Sequence, residues 1–144
     1  MRPQLYTLLL LPLLFTACKK STNIPVSMSV LVNGDSTWTT TNVSTQNMGN
    51  GVVYITGISA DGVNSVSLDI INYTAHNASY GIQNTGTGIN ANSSSANYQY
   101  GIFGGTAVSG SISISGYSGK TIQGSFDFAD TKNHLTGTFT AVTP

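Results

Sequence analysis

Residues 111–142 read SISISGYSGKTIQGSFDFADTKNHLTGTFTAV. Ile112 and Ile114 alternate with serines. Ile122, Gly124, Phe126 and Phe128 alternate with Gln123, Ser125 and Asp127. Leu135, Gly137, Phe139 and Ala141 alternate with Thr136, Thr138 and Thr140. In a strand, successive side chains point to opposite faces, so each run has one apolar and one polar face. Gly119, between the first two runs, supplies the positive φ that a tight hairpin needs. Asp130 and Asn133, between the second and third, favour a turn because their side chains bond to nearby backbone. The stretch therefore predicts a three-stranded antiparallel meander with one face in a core.

Upstream, the same period recurs. Val26, Met28, Val30 and Val32 predict a strand that ends at the turn signal Asn33-Gly34-Asp35. Trp38 sits in a threonine-rich run suited to extended backbone. Residues 42–48 are weakly patterned and suit an edge strand. Residues 52–59 and 65–71 form a pair around Asp61-Gly62, with Gly57 as a candidate bulge. Residues 80–83 and 97–103 are further strands, the latter closed by Gly104-Gly105. Between them, residues 84–96 hold one large apolar side chain, Ile89, and read as a long loop. Helical patterning is missing after the first 17 residues. Eight to ten short strands imply an all-β, antiparallel sandwich or barrel-like sheet. The expected core comprises Val30, Val32, Trp38, Val53, Ile55, Leu68, Ile70, Tyr80, Ile82, Tyr100, Ile112, Ile114, Ile122, Phe126, Phe128, Leu135 and Phe139.

The start of the chain is different. Arg2 precedes an apolar stretch over residues 5–15, which is too short to span a bilayer. Phe15-Thr16-Ala17-Cys18 follows. Charge, apolar run and small residues together describe a secretory leader over residues 1–17. Small residues before the only cysteine resemble the lipobox of bacterial lipoproteins. That resemblance implies cleavage before Cys18, diacylation of its thiol and acylation of the new amino terminus. Two or more acyl chains anchor a protein firmly, where one does so only marginally. Residues 18–25 then form a tether and residues 26–144 one β domain. The other reading of Cys18, a buried free thiol, fits poorly with its place directly after the apolar run. A lone cysteine leaves no disulfide to support the fold.

Past the leader, Lys19, Lys20, Lys120 and Lys132 face Asp35, Asp61, Asp69, Asp127 and Asp130. Charge this sparse and scattered excludes the concentrated basic footprint of a nucleic-acid binder. His76 and His134 stand in polar contexts, and no ligand spacing for a metal or motif for a cofactor is present. No Gly-x-Ser-x-Gly elbow is present. An enzyme is not expected. For binding, Trp38, Tyr54, Tyr98 and Tyr117, with Tyr73, are candidate ligand contacts: an aromatic platform for a glycan beside the polar loop. Half-buried strand tyrosines with wet hydroxyls are the plainer reading. A sheet edge that captures an envelope protein is the other binding expectation.

The 27–142 region also resembles a domain-of-unknown-function family of short Gram-negative, Bacteroidetes-type lipoproteins. The matching pieces are Val32-Asn33-Gly34 with Trp38, Val53-Tyr54-Ile55-Thr56-Gly57, Ser67-Leu68-Asp69-Ile70, residues 120–128 and Thr136-Gly137-Thr138-Phe139. The resemblance implies lipidation, an envelope location and an all-β fold. It carries no functional residues. Lys19-Lys20 is the opposite of the acidic run that directs some lipoproteins to the cell surface, which favours the periplasmic face of the outer membrane.

Overall fold

A computed structural model describes residues 25–74, 77–84 and 93–144. The expected leader over residues 1–17, Cys18, Lys19, Lys20, His76 and Ile89 lie outside the described residues. Among the described residues there are eleven strands: β1 (Ser27–Val32), β2 (Ser36–Thr40), β3 (Val43–Gly49), β4 (Val52–Ile58), β5 (Ser65–Ile70), β6 (Ala78–Gln83), β7 (Ser95–Tyr100), β8 (Phe103–Thr106), β9 (Ser109–Tyr117), β10 (Thr121–Ala129) and β11 (His134–Val142). They make two antiparallel sheets, ordered β2-β1-β11-β10-β9-β6 and β3-β4-β5-β7-β8. The sheets pack face to face as a β-sandwich, not as a closed barrel.

The meander is β9-β10-β11, with Phe126 opposite Gly137 and Phe139 opposite Gly124. Gly119 takes φ +76° in its first turn. β1 completes this half of the fold by pairing with β11, Met28 opposite Phe139. Every inner-face residue of β1 is buried, as its alternation requires.

Gly57, Val66, Tyr98 and Gly105 form one row across β4, β5, β7 and β8. A Cβ on Gly57 would meet Met28 Sδ at 2.5 Å, so the row begins over the start of β1. A Cβ on Gly105 would meet Asp130 Oδ2 at 2.6 Å, so it finishes at the turn beyond β10. A line drawn across one sheet thus runs along the strands of the other. The sheets are crossed, the packing in which strands change sheet at corners. Thr40 stitches one such corner: its hydroxyl donates to Ile58 O at 2.6 Å and accepts from Asn42 N at 2.9 Å.

The all-β antiparallel sandwich is as expected, with eleven strands among the described residues against about eight to ten. Several expectations need correction. Residues 97–103 are not one strand: the chain reverses at Gly101-Ile102, and Tyr100 pairs with Phe103. Gly104 and Gly105 lie within β8. Gly57 is not a bulge but a close approach to Met28. The irregularities fall between Asn47 and Gly49, where Met48 is the extra residue, and opposite Gln123 and Gly124, where Ser115 is. Ser95 and Ala96 belong to β7, not to the loop. Of the expected core, Trp38 and Tyr100 are only partly buried, because each sits near a sheet edge or strand end. Met28, Val66, Ala96, Tyr98, Ala107 and Ala141 join the core.

Candidate functional site

The four candidate contacts do not converge. Trp38 pairs with Val30 on the outermost strand of the six-stranded sheet and packs its ring against the core edge. Tyr117 ends β9 and is 45% exposed. Tyr54 stands on the outer face of the five-stranded sheet. Tyr98 is only 5% exposed and is a core residue, not a surface contact. Its ring lies 6.3 Å from that of Phe128. Its hydroxyl donates to Asp130 Oδ2 at 2.5 Å and accepts from Asn133 Nδ2 at 2.6 Å. Tyr73 is half-buried against the core, and burial, then the neighbouring Tyr80 and Tyr117, push its hydroxyl pKa up. The aromatic platform that the sequence suggested is therefore not assembled.

The outer face of the five-stranded sheet holds the most chemistry. Gln46, Tyr54, Asp69 and Ser95 form a row across β3, β4, β5 and β7. Ser95 Oγ donates to Asp69 Oδ2 at 3.4 Å, while Asp69 Oδ1 is buried without a partner. Burial pushes the Asp69 carboxyl pKa above its ordinary value, against the hydrogen bond from Ser95. Alternation places this aspartate outward, and the residues flanking it shield it. The next row is Thr56, Ser67, Asn97 and Thr106. It is hydrogen-bonded in pairs, Thr56 Oγ1 to Ser67 Oγ at 3.2 Å and Thr106 Oγ1 to Asn97 Oδ1 at 2.6 Å. The face is a sheet of hydroxyls and amides with one carboxylate. It is suited to hydrogen-bonding a polar partner.

Two shallow grooves meet at Ser27. One, about 450 Å³, is lined by Ser27, Thr39, Thr40, Thr41, Asn42 and Ala60. The other, about 270 Å³, lies over the outer face of the six-stranded sheet, between Ser27, Ser115, Gln123 and Thr138. No group of three or more His, Cys, Asp or Glu side chains comes together among the described residues. His134 Nε2 lies 2.7 Å from Asp127 Oδ1, both well exposed, a pair of little energetic weight.

Sequence reasoning also missed an apolar surface. Ile102 is 93% exposed and Phe103 63% at the β7–β8 turn. The missed turn hid them: read as one strand through residue 103, the segment shows no tip.

These features define an antiparallel, crossed β-sandwich with a polar outer face and an apolar hairpin tip. Compared with protein-family models, curated proteins and solved structures, the chain matches none.

Proposed function

We propose that the chain is a lipid-anchored protein of the bacterial envelope whose β-sandwich binds or braces other envelope components without catalysing a reaction. One observation carries the anchor: an apolar run too short to span a bilayer, then Thr16-Ala17-Cys18, then a polar tether. The first strand begins at Ser27, only nine residues past the cysteine. The resemblance to short Gram-negative lipoproteins points the same way. Lys19 and Lys20, beside the lipid, favour retention at the periplasmic face of the outer membrane and suit anionic headgroups.

Mass spectrometry of the protein purified from membranes tests this. The expected species starts at Cys18 with a diacylglyceryl thioether and lacks residues 1–17. Cys18→Ser should keep the leader and lose the acyl mass. An intact leader, or a free thiol on Cys18, would overturn the proposal.

Of the two ligand classes, protein capture at a sheet edge has the more specific support. β3 is a seven-residue edge strand, VSTQNMG, with neither a charge nor a proline to blunt it. A peptide strand added there should slow amide exchange along β3 and leave β8, the opposite edge, unchanged. A glycan would have to bind with Tyr54 alone among the original four on the polar face.

A further inference from the structure

We infer that the β7–β8 hairpin tip is a second, non-covalent membrane contact, seated in the bilayer to which Cys18 tethers the chain; the inference rests on the lipoprotein reading above. The tip is a two-residue turn, Gly101-Ile102, with Gly101 at φ +58°. The position after such a glycine ordinarily carries Asn, Asp or Ser. Here it carries isoleucine, almost wholly in solvent, followed by a phenylalanine that is mostly so. Val63, 45% exposed, adds to this surface from the β4–β5 turn, which is tied to the tip: Gly101 N donates to Asn64 Oδ1 at 3.0 Å. Large apolar groups left in water at a turn are a fault unless something covers them.

The tether says what covers them. Ser27, where the chain enters the domain, shares a groove with Ala60 of the β4–β5 turn. Chain entry, β4–β5 turn and apolar tip therefore follow one another along one side of the molecule. The nine residues from Cys18 to Ser27 reach at most about 30 Å when fully extended, so this side stays within reach of the membrane surface. Charge does not oppose contact there. Residues 93–119 contain no Asp, Glu, Lys, Arg or His. Asp61 is the one charged residue of the neighbouring turn. Its carboxylate is engaged by its own loop, accepting from Ser59 Oγ at 2.5 Å and Val63 N at 3.0 Å. An amphipathic element with aromatic and branched groups on its apolar side settles at the boundary of headgroups and acyl chains.

The acylated full-length protein offers a direct test, because lipidation consumes its only native thiol. Ile102→Cys then carries one free thiol for an environment-sensitive fluorophore. Ser79→Cys on β6, at the opposite edge of the six-stranded sheet from β2, is the control. In phosphatidylethanolamine–phosphatidylglycerol vesicles, the probe at 102 should shift to the blue. It should be quenched several-fold more by nitroxides on the acyl chains than the probe at 79, and less by aqueous iodide. Equal behaviour of the two probes overturns the inference. So does a probe at 102 that is shielded from iodide yet untouched by lipid nitroxides, since a protein then covers the tip. Mass spectrometry of the same sample reads Cys18. An unacylated cysteine removes the anchor and the tip contact together, whereas an acylated one with a wet tip removes the tip contact alone.

Discussion

Gly124 and Gly137 leave gaps in an otherwise apolar inner face, and each gap is filled by a ring from the neighbouring strand. Phe139 lies over Gly124, and Phe126 over Gly137, in reciprocal cross-strand pairs. A Cβ at 124 would run into Ser113 O and the Phe139 ring. Backbone cannot yield as a side chain can, so Gly124→Ala should cost about 1–3 kcal/mol by overpacking. Phe126→Ala, which empties the other half of the motif, should cost about 3–5 kcal/mol. Chemical denaturation measures both, and a loss below about 1 kcal/mol for Phe126→Ala would contradict its burial in the core. The Tyr98–Asp130 bond links the two sheets and gives stability a pH dependence. Burial pushes the Asp130 carboxyl up, but hydrogen bonds from the Tyr98 hydroxyl and from the amides of Lys132 and Asn133 outweigh it and hold the pKa below the ordinary value. A carboxyl depressed on folding stabilises the native state above its unfolded pKa, near 4, and that contribution is lost as pH falls through the lower folded value. Thermal melts from pH 6 to pH 2 should show a falling midpoint, with a shallower fall in Asp130→Asn.

Single strands form where local chemistry agrees with the fold, and the β7–β8 hairpin shows what happens where it does not. The meander was legible because three signals coincided: period-two alternation, a glycine turn and an Asp/Asn turn. The β4–β5 pair was legible for similar reasons, whereas β3 suited an edge only because its pattern is weak. β7–β8 was not, because Gly101-Ile102 lacks the polar second residue that marks a two-residue turn, and the apolar character of Ile102 and Phe103 prolonged the apparent strand. Gly57 misled in another way: sequence reports the absence of a side chain but not the methionine from another sheet that fills the space. The buried role of Tyr98 had no local signal at all, since its partner lies 32 residues away. The turn itself is testable. Gly101 has a positive φ that branched residues tolerate poorly, so Gly101→Val should cost about 1–3 kcal/mol. The loss should appear in the denaturation midpoint with an unchanged slope, because the core stays the same. A midpoint equal to that of the parent would mean that the reversal at Gly101 does not form.

At the scale of the molecule, the order in which the strands are joined decides how it folds. β1, the first strand, lies between β2 and β11, the last. The chain passes between the sheets after β2, β5, β6 and β8, so neither sheet is built from one continuous segment. With a single cysteine no internal disulfide can hold a partial structure together. Pairings this distant require loop closure before contacts reward it, so folding should take milliseconds to seconds, as in other all-β domains. β11 supplies Leu135, Phe139 and Ala141 to the core and ladders to both β1 and β10. Deleting residues 134–144 would therefore take away three buried side chains, expose two new strand edges and leave Phe126 and Phe128 with an open flank. The expected result is loss of the whole cooperative unfolding transition, not a smaller domain that melts a few degrees lower. Circular dichroism melts of the shortened chain, with dye binding to report exposed apolar surface, distinguish the two. A sharp transition in that chain would mean that the five-stranded sheet and the rest of its partner can fold without the closing strand, and that the crossed core is divisible.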